Sequence, residues 1–235
     1  MKKASLFYYI FSFILLIVFI FLIINAYNNL STSASTIAPV NNKYTIIIDA
    51  GHGGEDGGAV ANNLTEKDIN LEISKILSDI FVSNGYKVVM TRSNDNSIES
   101  SGTTLRERKV SDMKNRLEIY NSDENNIVIS IHQNKFEIEK YSGTQIFYSP
   151  NNEKSSVLAE SIRTSVIGLI QPENTRECKK ATKDIYLLYN SKVPSIIVEC
   201  GFLSNNAEAQ KLSTETYQKQ IAYSIYLGIV NYLNN

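Results

Sequence analysis

The sequence has few of the residues on which several classes of protein depend. Its 235 residues include two cysteines, too few for a disulfide framework or a cysteine-rich zinc finger. They include two histidines, His52 and His132, so any histidine-based site must use one or both of them. The 23 basic and 24 acidic residues leave a formal charge of −1. Without a basic excess to neutralise phosphates, nucleic acid is not an expected partner.

The glycine-rich stretch that surrounds His52 lacks the signatures of a nucleotide-binding loop. It has neither the G-x-G-x-x-G pattern nor the G-K-[ST] ending of a phosphate loop. Its glycines instead permit tight turns and a close backbone approach beside a histidine. They stand at positions 51, 53, 54, 57 and 58.

The beginning of the chain differs in composition from the rest. Two lysines precede the run Leu6–Ile24, which carries no charge and is long enough, at about 28 Å, to cross a hydrocarbon core. We predict a membrane anchor or a signal peptide over residues 1–27 and a polar linker over residues 28–43. For the apolar run, the alternative is a buried core helix of a soluble protein. The basic N-terminus then places the folded part, residues 44–235, outside the cytoplasm.

Short apolar runs alternate with helical patterns from residue 44 onward. The runs Thr45–Ile48, Ile127–Ile131 and Ser195–Val198 lack polar alternation, which is typical of strands covered on both faces. This order predicts a single α/β domain with a mostly parallel, twisted central sheet and helices on both faces. The other predicted elements are strands at 86–91, 143–148 (an edge strand) and 185–188, and helices at 64–84, 105–120, 157–170 and 214–233.

Chemically reactive side chains follow the three apolar runs. His52 lies just after the first run, His132 directly after the second, and Glu199 directly after the third. Because ligands bind at the carboxyl edge of such sheets, we expect these side chains to converge there. Two imidazoles and a carboxylate are typical ligands of catalytic zinc. Glu66, in the first turn of a predicted helix, is a second candidate, and spacing alone leaves open which carboxylate is the ligand and which the base.

Each of these features also has a purely structural interpretation. A histidine at a strand end commonly makes structural hydrogen bonds, and Glu66 alone would be favourable near a helix N-terminus. Arg92 is interpretable as a salt-bridge partner, and the charges of helix 105–120 as a solvated face. Cys178 and Cys200 are expected to remain unpaired.

Five sequence blocks occur in a fixed order between residues 44 and 233. They read IIIDAGHGG at 46–54, TEKDINL at 65–71, VMTR at 89–92, SIHQN at 130–134 and VECGFLSN at 198–205. In this combination they resemble the type-3, zinc-dependent N-acetylmuramoyl-L-alanine amidases of bacterial cell walls. Two positions, Ala50 and Cys200, depart from the common family residues, and neither is a predicted ligand.

The resemblance implies a ligand set and a reaction. It makes His52, Glu66 and His132 the ligands of one Zn²⁺ per chain and Glu199 the general base. The substrate is peptidoglycan, a glycan strand with stem peptides. The bond that is cleaved is the amide between N-acetylmuramic acid and L-alanine. Among the other residues of the blocks, Asn134 and Arg92 are predicted to bind the substrate.

The stretch Leu105–Arg116 resembles the germination-type branch of the family, which acts on the spore cortex. This implies a role in muramic-δ-lactam formation, in the space between forespore and mother cell. The membrane and an accessory or activating protein are the implied partners. Alternatives are a vegetative autolysin or division amidase, another zinc hydrolase such as a carboxypeptidase, and a wall-binding module without activity.

Overall fold

A computed structural model of the protein describes residues 13, 15–21 and 43–234. Within the predicted anchor or signal peptide, residues 13 and 15–21 are helical and exposed. No helix among the described residues is long and apolar enough to cross a membrane. The segment predicted as anchor or signal peptide lies mostly outside the described residues, and so does the predicted linker, of which only residue 43 is described. All elements that follow belong to one compact unit, residues 41–235.

Six strands form the central sheet, and two more form a separate hairpin. The strands are β1 (Thr45–Ala50), β2 (Val60–Ala61), β3 (Leu64–Thr65), β4 (Lys87–Met90), β5 (Asn126–Asn134), β6 (Gln145–Tyr148), β7 (Lys179–Lys180) and β8 (Ser195–Phe202). The order in the sheet is β4-β1-β5-β8-β6-β7, and β2 pairs with β3. Every pair in the sheet is parallel except β6 with β8.

Helices cover both faces of this sheet. They are α1 (Glu66–Ser83), α2 (Leu105–Tyr120), α3 (Lys154–Leu169), α4 (Tyr186–Asn190), α5 (Asn206–Leu212) and α6 (Glu215–Asn234). Because side chains alternate along a strand, Ile46 and Ile48 join the large core with α1, α3 and α6, whereas Ile47 packs with Tyr120 of α2 on the other face. The predicted single α/β domain with a mostly parallel sheet is confirmed.

Two predicted strands differ from the structure in type or position. The strand predicted at 185–188 is wrong, because this segment forms the short helix α4 through local bonds such as Tyr189 N to Ile185 O. Leu188 is thereby buried against Ile197. The strand predicted as an edge is β6, which lies inside the sheet because the two-residue strand β7 pairs along its outer side.

The helix predicted from residue 64 begins two residues later. Leu64 and Thr65 belong to the hairpin, whose two-residue turn consists of Asn62 and Asn63, both with positive φ. Such turns match the twist of the flanking strands, and asparagine tolerates their backbone conformation. Thr65 stands at the N-cap of α1 as expected, but its side chain makes no capping hydrogen bond. The hairpin thus fixes where α1 starts and places Glu66 at its first position.

Candidate metal centre

The pairing of β5 with β8 places His132 directly opposite Glu199. Both strands extend further than predicted, so these residues lie inside strands near their carboxyl ends. Residues at the same level of neighbouring strands point to the same face, and their side chains therefore share one edge of the sheet.

His52 reaches the same edge from the glycine-rich loop that follows β1. Its backbone has a φ of 62°, in the left-handed region that is uncommon for L-residues, although histidine adopts it more often than most. Arg116 stabilises this conformation by donating from Nη2 to the carbonyl oxygen of His52 at 2.7 Å. The loop thereby turns the imidazole toward the carboxyl edge of the sheet.

His52, Glu66 and His132 form a compact group of potential metal ligands. One ligand atom from each residue lies within 4.8 Å of the other two. Glu66 Oε1 is 3.2 Å from His52 Nε2 and 2.9 Å from His132 Nδ1. The two imidazole rings meet edge to face at 4.9 Å between centroids. Three residues that are 14 and 66 positions apart along the chain are therefore brought together by the fold.

The carboxylate of Glu66 is held in place by backbone and side-chain donors. Ala59 N donates to Oε2 at 2.8 Å, Gln133 N to Oε1 at 3.0 Å, and Asn70 Nδ2 to Oε1 at 3.3 Å. Burial would raise the pKa of Glu66, but the hydrogen bonds from the two histidines outweigh burial and hold the pKa well below its usual range. Glu66 is thus an ionised, fixed carboxylate, as a metal ligand has to be.

Glu199 is the second carboxylate of the site, and its surroundings raise its pKa where those of Glu66 lower it. Burial raises its pKa to about 7, His132 and His52 oppose the rise, and the negative charge of Glu66 adds to it. Its Oε2 is shielded from solvent and accepts no hydrogen bond from any residue that the structure describes. A carboxylate with a pKa near neutrality and free lone pairs can take up and release a proton.

The donor set fits zinc. Two imidazole nitrogens and one carboxylate oxygen are the ligand types of catalytic zinc sites, which leave a further position open. The absence of a side chain at Gly58 makes room for this group, since a Cβ there would lie 2.6 Å from both Glu66 Oε2 and His52 Cδ2. The burial of Glu199 Oε2 without a partner next to the cluster is also what a site built for a further ligand would show.

The two residues predicted to bind substrate lie in different surroundings. Asn134 ends β5 beside His132, is partly exposed, and accepts a hydrogen bond from Lys135 N at 2.8 Å. Arg92 is buried, and the salt bridge expected for it is replaced by hydrogen bonds to backbone carbonyls. These carbonyls belong to Ala50, Gly51, Lys67 and Asn94, at 2.8 to 3.0 Å. Arg92 therefore supports the loop that carries His52.

Sequence reasoning missed a buried ionic network beneath the site. Arg116, interpreted as part of a solvated face, is only 2% exposed and pairs with Asp49, so that interpretation is wrong for Arg116. Asp49 also accepts hydrogen bonds from Thr91 at 2.7 Å and from Tyr120 and Ser130 at 2.5 Å each. The signal was a charged residue, Asp49, at the end of an otherwise apolar strand, which requires a buried partner.

A cavity of about 220 Å³ opens beside the two histidines. It lies on the sheet face that α2 and α4 cover. Its apolar walls come from Leu105, Met113, Ile185, Leu187 and Ile197. The group of ligands thus borders a space that a part of a substrate can enter.

The site combines two histidines with one carboxylate whose pKa is lowered and one whose pKa is raised, all at the carboxyl edge of a mostly parallel sheet. This combination defines the class of a candidate single-metal hydrolase. The family model for N-acetylmuramoyl-L-alanine amidase matches residues 46–231, and the chain belongs to this family. The resemblance found in the five sequence blocks is thereby confirmed, and so is the predicted class of enzyme.

Individual relatives are similar over most of the chain. The germination-specific N-acetylmuramoyl-L-alanine amidase of Bacillus subtilis is 35% identical, with 98% of this chain and 95% of that protein covered. The CwlD amidase from Clostridioides difficile, solved in complex with the GerS lipoprotein, is 42% identical with a TM-score of 0.77, covering 81% of this chain and 98% of that one. An N-acetylmuramoyl-L-alanine amidase from Clostridium difficile 630 is 29% identical with a TM-score of 0.71, and the match covers 83% of this chain and 99% of that one.

Proposed function

We propose that this chain hydrolyses the amide bond between N-acetylmuramic acid and the L-alanine of peptidoglycan stem peptides, with one Zn²⁺ held by His52, Glu66 and His132. The observation that carries the proposal is the cluster of these three ligands beside the unpartnered carboxylate of Glu199. Membership of the amidase family supports the choice of bond. A wall-binding module would have no use for this arrangement.

The residues of the chain supply the proton transfers of this reaction. When bound, zinc supplies a Lewis acid that polarises the amide carbonyl and makes water more acidic. Glu199 accepts a proton at Oε2 as the oxygen of water bonds to the carbonyl carbon. It then delivers that proton to the nitrogen of L-alanine as the carbon–nitrogen bond breaks. A pKa raised to about 7 suits both steps near neutral pH.

The surroundings of the site orient the substrate. We assign Asn134 to direct contact with it, because this residue is partly exposed and follows His132 by two positions on the same strand. Arg92 acts on the substrate through the loop that it holds, since its guanidinium is engaged with backbone carbonyls. The cavity beside the histidines receives the apolar groups next to the scissile bond.

The reaction is tested by mass spectrometry of peptidoglycan fragments after incubation with the full-length chain. We expect free stem peptides that begin with L-alanine, loss of this activity on chelation, and its return with added Zn²⁺. Full activity after complete removal of metal would contradict the metal assignment. Release of a terminal amino acid instead of whole stem peptides would identify a carboxypeptidase.

We further infer that the enzyme acts on the spore cortex, outside the cytoplasm, and works with an accessory protein. The similarity to a germination-specific amidase over 98% of the chain supports the role. The complex of the related CwlD amidase with the GerS lipoprotein supports the partner. Membrane attachment through the N-terminal apolar run completes this proposal. Spores of a strain that lacks the gene should be deficient in muramic-δ-lactam, whereas normal lactam content with chained cells would favour a division amidase.

A further inference from the structure

The second ring nitrogen of His52 has a carboxylate partner of its own. His52 Nε2 faces Glu66, whereas Nδ1 lies 2.9 Å from Asp56 Oδ2. The other oxygen of Asp56, Oδ1, is 2.7 Å from Lys109 Nζ. A continuous chain of polar contacts therefore runs from a basic residue of α2 through Asp56 to Nδ1 of His52, the ring nitrogen that does not face Glu66.

Asp56 is fixed by its own backbone as well as by these contacts. Its N donates to Gly53 O and its O accepts from Gly53 N, both at 3.0 Å, which closes a tight turn directly after His52. Gly58 N also donates to Asp56 Oδ1, at 3.3 Å. The carboxylate is thus presented to Nδ1 by a turn that is closed by the backbone hydrogen bonds between Gly53 and Asp56.

We propose that Asp56 is a positioning residue for the metal ligand His52, and that Lys109 of α2 holds Asp56 in place. This inference rests on the proposed function. A hydrogen bond from Nδ1–H to a carboxylate fixes the tautomer in which Nε2 carries the lone pair, sets the orientation of the ring and increases the basicity of the ligand nitrogen. In this role Asp56 acts on the metal through His52 and is not itself a ligand.

The two members of the chain contribute unequally. Asp56 has a side chain that is 22% exposed and directly bonds His52, so its removal leaves the imidazole without its orienting partner. The side chain of Lys109 is 44% exposed, and ion pairs this close to solvent are weakened by screening and by side-chain entropy. We therefore expect a large effect from changes at Asp56 and a smaller one at Lys109.

The experiment measures the zinc dissociation constant of the full-length chain by competition with a chromogenic chelator. Asp56→Ala should weaken zinc binding about 10- to 100-fold. Asp56→Asn, which keeps an acceptor oxygen for Nδ1–H, should fall between this variant and the wild type. Lys109→Met should weaken binding a few-fold.

Two control variants test whether the loss of zinc binding expected at Asp56 and Lys109 comes from positioning of His52 or from the loss of a charge in general. Glu55→Gln removes the neighbouring carboxylate, which pairs with Arg108 rather than His52, and Lys114→Met removes an exposed lysine of α2. Both should bind zinc like the wild type. Zinc binding within twofold of wild type in both Asp56 variants, or an equal loss in Glu55→Gln, overturns the inference. If Asp56→Ala does not fold, as shown by circular dichroism without zinc, Asp56→Asn and Lys109→Met decide it.

The same measurements distinguish this inference from the proposed function. A wild-type chain that neither binds zinc nor cleaves peptidoglycan overturns the proposed function and the inference with it. A wild-type chain that does both, together with unchanged Asp56 variants, overturns the positioning role alone.

Discussion

Glu66 and Glu199 are carboxylates of one site, and their surroundings give them different protonation behaviour. Backbone donors and two histidines keep Glu66 ionised, whereas burial next to the charge of Glu66 raises the pKa of Glu199 to about 7. Sequence spacing could not say which carboxylate is the ligand. The difference in hydrogen bonding supports Glu66 as the ligand and Glu199 as the base.

Replacing Glu199 should separate metal binding from turnover. Glu199→Gln keeps the shape of the side chain but cannot accept a proton, so we expect the zinc dissociation constant to change less than a few-fold and kcat to fall about 10²- to 10⁴-fold. Steady-state hydrolysis and chelator competition measure the two quantities. Glu66→Gln is the contrasting variant and should lose zinc. A kcat near the wild-type value in Glu199→Gln would mean that another group is the base.

The buried Asp49 makes the stability of the fold dependent on pH. Burial raises the pKa of Asp49, but Arg116 and the hydrogen bonds from Ser130 and Tyr120 outweigh it and hold the pKa well below its usual range. Because the folded-state pKa is depressed, the stabilisation is complete above the unfolded pKa of about 3.9 and is lost as the pH falls toward the folded value.

Asp49→Asn should therefore destabilise the protein in a pH-dependent manner. It removes one of the two carboxylates that pair with the buried charge of Arg116 and leaves only Asp112, at a cost of about 3 kcal/mol in the free energy of unfolding near pH 6. The difference from the wild type should shrink below pH 4, where Asp49 begins to be protonated in the unfolded state while the folded state keeps it ionised. Urea unfolding of both metal-free proteins at pH 6 and at pH 3 measures this difference in the free energy of unfolding. A difference that is the same at pH 6 and pH 3 would show that the charge of Asp49 is not responsible.

At the scale of elements, long regular patterns were predictable and short segments were not. Helix α2 begins and ends at the predicted residues, because Thr104 and Glu107 form a capping box ahead of a continuous helical sequence. The strand predicted at 185–188 is helix α4, since a run of this length carries no periodicity that separates the two. The inward direction of Arg116 depends on a strand residue 67 positions away, which no local pattern contains.

The glycine-rich loop gives a prediction about an element rather than a single ligand. Gly58 has a φ of +67°, and a Cβ there would contact Glu66 and His52 at 2.6 Å, so Gly58→Ala should displace two ligands at once and reduce zinc affinity at least tenfold. Gly168→Ala in α3 is the control, since a Cβ there meets nothing within 4 Å. It should stabilise the helix by about 0.5 to 1 kcal/mol and leave zinc binding unchanged. Chelator competition measures the zinc affinity of both variants. Equal affinity in Gly58→Ala and Gly168→Ala would contradict the close packing of the loop at Gly58 against the two ligands.

At the scale of the whole molecule, the site joins parts of the fold that are distant in sequence. His52 comes from the loop after β1, Glu66 from the start of α1, and His132 from β5. The residue types were predictable because each lies close to a recognisable apolar run or helix start. Their mutual geometry was not, because it depends on strand register, on the hairpin that sets the start of α1, and on the loop conformation that Arg116 stabilises.

Since the three ligands converge only in the folded chain, zinc should stabilise the entire catalytic unit. At a free zinc concentration 100 times the dissociation constant, the expected gain is about 2.7 kcal/mol. For a domain of this size that corresponds to a rise in Tm of about 5 to 10 °C. Differential scanning calorimetry should show this rise in the wild type and in Glu199→Gln, which retains the ligands, but not in His132→Ala. A rise of equal size in His132→Ala would place the stabilising zinc at another site, whereas its loss in Glu199→Gln would make Glu199 a ligand rather than the base.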